Sequence, residues 1–102
     1  MATIFPVSTA VMYYLNVQWR HEAPNYPVEI WSELDADRFE TRKLERYATG
    51  AWKCWSTAQP EGLGTVPVPA LATIQEAEEF TAQEIDRATF EQVWKGFSPA
   101  EN

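Results

Sequence analysis

"YYLNVQWRH", residues 13–21, alternates Tyr13, Leu15, Val17 and Trp19 with Asn16, Gln18 and Arg20, and His21 falls in phase with the apolar set. A period of two is the signature of a half-buried strand. Six residues further on, "VEIWSELD" (28–35) repeats it: Val28, Ile30 and Leu34, with Ser32, take one side, and Glu29, Trp31, Glu33 and Asp35 the other. Joined across "EAPNYP" in a symmetric hairpin, the two runs set His21 opposite Val28, Trp19 opposite Ile30, Val17 opposite Ser32 and Leu15 opposite Leu34. Both apolar sets then share one face, which supports the register.

A second hairpin is expected from "FETRKLERYA" and "AWKCWS", joined at Thr49-Gly50, where glycine supplies the positive φ of a tight turn. Tyr47 then faces Trp52 and Leu44 faces Trp55. Trp52 and Trp55 lie on opposite faces, so a bulge or burial on both sides fits this pair. "STAQPEGLGTVPVP" (56–69) holds three prolines and two glycines and reads as a crossing loop. It has neither the lysine nor the following helix of a phosphate-binding loop. "LATIQEAEEF" offers a short helix with Thr73 and Glu76 spaced as a capping box. In the last helix Asp86 is the cap, Ile85 and Phe90 are the staple, and Lys95-Gly96 forms the end. Its stripe of Phe90, Val93, Trp94 and Phe97 is a core face, expected to lie on the Leu15/Val17/Trp19/Ile30/Leu34 side. The fold class is therefore α+β: a four-stranded antiparallel meander with one short and one longer C-terminal helix packed on one face. The expected organisation is an N-terminal extension over 1–12, a single domain over 13–97 and a tail over 98–102.

The chain of 102 residues fits one core, and 45% apolar with 23% charged residues is ordinary globular composition. Eight basic against fifteen acidic side chains give a net charge of -7. That sign argues against nucleic acid and anionic membranes as partners and for a protein with a basic surface. Residues 70–102 carry seven of the acids and only Arg87 and Lys95 as bases; a solvated helix face explains this as readily as a docking site does. With Cys54 as its single cysteine the chain forms no intramolecular disulfide, and one cysteine with one histidine does not build a zinc site of the usual type, so no metal or cofactor is expected. "MATIFPVSTAVM" lacks the basic start of a signal peptide, and no apolar run reaches about 20 residues, so a cytoplasmic location is expected. A homodimer through a sheet edge stays open.

Catalytic constellations are thin. A Cys54/His21 dyad or a Ser32/His21/Asp35 triad needs an exposed nucleophile beside an oriented base, but Cys54 sits mid-strand and the symmetric register keeps Ser32 opposite Val17, away from His21. Glu29, Glu33 and Asp35 have spacing that paired carboxylates could use, about 6.5–7 Å between alternate strand positions. On an open sheet face, though, nothing raises the pKa of a general acid. His21 is expected at the rim, one nitrogen on a backbone or carboxylate partner. Trp31, with Glu29, Glu33, Asp35, Arg20 and Gln18 around it, is the expected partner-binding surface, on the sheet face away from the helices. The competing reading covers Trp31 with residues 1–12 or the proline-rich loop.

The segments "YLNVQWRH", "PVEIWSELDADRFETRKLE", "GLGTVPVPALATI" and "EFTAQEIDRATFEQVW" resemble a family of small bacterial domains that carries a domain-of-unknown-function label. The resemblance covers residues 13–95 and implies a bacterial source but no catalytic residues. Small acidic proteins of this kind are also similar to immunity proteins of toxin systems, by analogy alone. The expected function is thus a non-catalytic protein-binding module, with neutralisation of a basic toxin as one form of it. The alternatives are a small-ligand binder using Trp52, Trp55 and the proline-rich loop as an apolar pocket, and a small enzyme.

Overall fold

The computed structural model describes residues 11–97; residues 1–10 of the expected 1–12 extension and the expected tail at 98–102 lie outside them. Five strands, β1 (Tyr13–Trp19), β2 (Glu29–Leu34), β3 (Glu40–Arg46), β4 (Trp52–Ser56) and β5 (Phe80–Ile85), form one antiparallel sheet in the order β4-β3-β2-β1-β5. A single helical turn, α1 (Leu71–Ile74), precedes β5, and α2 (Arg87–Phe97) follows it. The α+β class and the meander of the first four strands agree with the sequence, but the sheet has a fifth strand. "FTAQEI" hides because its apolar residues split between faces: Phe80 and Ala82 pack with Leu15 and Val17, and Ile85 packs with Tyr14.

The hairpin registers also differ from expectation. In β1/β2, Val17 pairs with Ile30 and Leu15 with Ser32, a shift of two residues that keeps every side chain on its face. Trp19 N–H donates to the Val28 carbonyl, so the loop holds two more residues on the β1 side, Arg20 and His21, than symmetry suggested. In β3/β4, Leu44 pairs with Cys54 and Arg46 with Trp52, a shift of one. The turn sets it: Tyr47 N–H donates to the Ala51 carbonyl and Gly50 N–H to the Tyr47 carbonyl, with Gly50 at φ 92°. Trp52 and Trp55 do take opposite faces.

The largest correction concerns α2, which packs on the other face from the one expected. Phe90 and Trp94 join Tyr14 and Leu44 in one buried cluster, with Met12, Trp31, Trp52, Cys54, Ile85 and Val93 around it. Only Asp86 separates β5 from α2, so the helix turns onto the face that Ile85 shares with Tyr14. Asp86 caps it as expected, accepting from Thr89 N–H at 2.8 Å. The face with Leu15, Val17, Leu34 and Ala82 is covered instead by Val68, Leu71 and Ile74. Both faces are therefore covered, and Tyr14 through Val17 are buried without a break. The expected capping box does not form: α1 starts after Ala70, which makes no side-chain cap.

Candidate functional site

On the sheet face opposite α2, a groove of about 350 Å³ opens between the strands, α1 and the proline-rich segment. Leu15, Val17, Ile30 and Ser32 form its floor, and Val68, Pro69, Ile74 and Ala77 stand along its walls. Phe80 closes one side, beside Trp19 at 5.6 Å between ring centres. The lining is almost entirely apolar, with the carboxylate of Glu40 as its one charged group.

Three residues, Arg38, Glu40 and Trp55, hold the proline-rich wall in place. Arg38, at φ 70° in the turn after β2, accepts from Val68 N–H through its carbonyl. Its guanidinium donates back, Nε to the Val68 carbonyl at 2.8 Å and Nη2 to the Pro69 carbonyl at 2.7 Å. Glu40 Oε1 accepts from Gly64 N–H at 2.6 Å. Gly62 lies flat on Trp55, where a Cβ would come within 2.2 Å of the indole. A loop with three prolines makes few internal bonds, so these side chains fix a wall that local propensity does not. On the far side, Gln75 donates its amide to the Ala82 carbonyl of edge strand β5 at 2.6 Å.

Glu40 reaches the groove because of a β-bulge. The β2/β3 pairing jumps from Glu33–Arg42 to Leu34–Glu40, leaving Thr41 as the extra residue. Strict alternation would set Glu40 with Arg42 and Leu44 under α2; the bulge carries it to the face of Leu34.

The residues expected around Trp31 are brought together in part, but on the helix-covered face. Trp31 packs against the Phe90/Trp94 cluster, with its indole N–H buried and without a partner among the described residues. This corrects the expectation of a helix-free surface, and the cover is α2, not residues 1–12 or the proline-rich loop. Glu29 accepts from Asn16 (3.0 Å), Gln18 (2.7 Å) and Arg46 (2.7 Å). Glu33 accepts from Tyr14 (3.1 Å), Thr41 (2.8 Å) and both arms of Arg42, which also grips Glu91 at 2.7 Å. Arg20 lies at the exposed end of this face, bonded to Thr81 Oγ1 and the Glu78 carbonyl. Asp35 belongs elsewhere, its Oδ1 accepting from Asp37 and Phe39 N–H within the turn.

Burial acts to raise the carboxyls of Glu29 and Glu33, but the donors around each more than reverse it and hold both below the usual range. They are anchored anions, the opposite of what a general acid requires. His21 is fixed by its own loop: Nδ1 accepts from Ala23 N–H at 2.9 Å, so Nε2 carries the proton and donates to the Pro27 carbonyl at 2.7 Å. Its ring meets Trp19 edge-on at 4.5 Å. With both nitrogens bonded to backbone, His21 is not aimed at Ser32 or Cys54.

The fold and the groove define a small α+β domain with a ready-made apolar cleft on one sheet face. Within that class, the chain belongs to the family described as Domain of unknown function (DUF6881), whose model matches residues 13–98. No curated protein and no solved structure matches it. Among the described residues no helix is long and apolar enough to cross a membrane.

Proposed function

We propose that the chain is a binding module for a protein partner that inserts an apolar side chain into the groove and sets basic residues against the acidic turn beside it. The groove carries this reading: about 350 Å³ of apolar space lies within the roughly 300–1,000 Å³ range of sites that hold ligands. Exposed Glu76, Glu78 and Glu79 follow α1 directly, next to the groove residues Ile74 and Ala77, and the chain carries a net -7. An apolar anchor with a charged surround gives both affinity and steering. Neutralisation of a basic toxin is one form of this function.

The dimensions also suit a small apolar ligand, which is the second reading. It does not use the expected Trp52/Trp55 pocket, because Trp52 stacks on Phe97 at 4.0 Å while Trp55 lies on the other face under Gly62. Selection of displayed random peptides on the immobilised chain separates the readings. The expected outcome is enrichment of an aromatic or branched aliphatic residue flanked by Lys or Arg, with capture lost in Ala77→Phe, which fills the groove. Failure to enrich any motif, or a motif that still binds Ala77→Phe, would overturn the proposal.

A further inference from the structure

We infer that Glu40 is the specificity-determining residue of the groove and reads an arginine or lysine side chain next to the apolar anchor of the partner. The inference rests on the groove being the binding site, and it adds what the site selects.

The argument starts from charge. Glu40 is the charged member of a lining whose other polar side chains are the hydroxyls of Ser32 and Thr73, and its side chain is only 11% exposed. A carboxylate held that far out of water is costly unless its oxygens are matched by donors. Oε1 is matched by Gly64 N–H. Among the described residues no hydrogen bond reaches Oε2, and that oxygen keeps access to solvent, which leaves it open to an incoming donor. The ammonium of Lys43 lies 3.4 Å from Glu40 but also 3.3 Å from Glu45 Oε2. One cation between two carboxylates leaves a net negative charge, and Lys43 is further held over the Trp55 ring at 5.6 Å.

The backbone supports the same assignment. Only the bulge at Thr41 brings Glu40 to this face, and bulges that re-aim a side chain are frequent beside functional sites. The Gly64 bond then fixes one oxygen and so the direction of the other. An arginine or lysine lying along the groove would place its methylene stem on Leu15, Val17 and Ile30 and its head at Glu40, a division between stem and head that suits both residues. Recognition there would be a charge-assisted hydrogen bond shielded from water, stronger than the same pair on the surface.

The test uses two capped dipeptides, acetyl-Phe-Arg-amide and acetyl-Phe-citrulline-amide, which differ in charge and barely in shape. Each is titrated into the 15N-labelled full chain, with amide shifts of Ile30, Ser32, Glu40 and Phe80 as the readout. The arginine peptide is expected to bind about ten-fold more tightly than the citrulline peptide. Glu40→Gln keeps an oxygen for Gly64 N–H and should bring the two to equality at the citrulline level. The exposed Glu22→Gln, with the same change of net charge, should preserve the difference. Equal binding of both peptides in the groove of the parent chain overturns the role of Glu40 and leaves the groove reading standing. Absence of groove shifts with either peptide overturns both. A preference equally lost in Glu22→Gln would mean that overall charge, and not Glu40, makes the selection.

Discussion

Single side chains show where this fold concentrates its stability. Trp94 is 5% exposed and stacks near Phe90, with the Arg42 guanidinium over both rings. Trp94→Ala should cost about 3–5 kcal/mol, measured by urea unfolding. A Trp94→Ala chain with the parent's midpoint would contradict the packing of α2. Beneath it, the Glu33–Arg42–Glu91 network predicts how stability depends on pH. Burial pushes the Glu33 carboxyl up from 4.5, but Arg42, Thr41 and Tyr14 bring it below that value. The folded chain therefore holds that proton less readily than the unfolded one. Its contribution is complete above about pH 4.5 and is lost as pH falls through the lower folded value. Urea midpoints followed from about pH 6 to about pH 3 should fall on the acid side, and Glu33→Gln should make that slope shallower. Glu29, lowered in the same way, accounts for part of the slope that remains.

At the scale of elements, phase was legible and cover was not. Alternation in "YYLNVQW" and "EIWSEL" places each side chain on the face where it lies, including Trp31 with Glu29 and Glu33. It does not say which face a helix will cover. Asn16 and Trp31, which share one face, read as solvent-facing because two of their neighbours, Glu29 and Glu33, are carboxylates. Those carboxylates are instead satisfied by Arg42 and Arg46 across the sheet, a pairing that depends on the β2/β3 register. The bulge that delivers Glu40 left no trace either, since "ETRKLER" reads the same with or without an extra residue. Arg38 was equally hidden: a non-glycine at φ 70° whose value lies in a loop some thirty residues away. Arg38→Ala removes both guanidinium bonds and should cost about 2 kcal/mol, typical of hydrogen bonds from charged donors. It should also speed hydrogen exchange at the Val68 amide well before global unfolding. Unchanged protection at Val68 would mean that the prolines alone hold the wall.

Over the whole molecule, the same excess of negative charge acts in opposite directions on stability and on recognition. The pairs Arg42–Glu33 and Arg46–Glu29 join at 2.6 and 2.7 Å with their carboxylates nearly covered, and salt screens such pairs weakly. Exposed Glu76, Glu78, Glu79 and Glu84 crowd the region from α1 to β5, and there salt relieves repulsion between like charges. A chain at -7 should therefore gain stability with added salt, raising its melting temperature by a few degrees from low salt to about 0.3 M sodium chloride. Binding of a basic partner should respond the other way. The acidic turn beside the groove raises the encounter rate, and screening removes that gain while the apolar contact inside the groove persists. Surface plasmon resonance over the same salt series should show an association rate that falls by about ten-fold or more while the dissociation rate changes little. A dissociation rate that carries most of the salt dependence would place the decisive ion pairs inside the contact, and a melting temperature that falls with salt would mean that exposed ion pairs, not repulsion, dominate the folded surface.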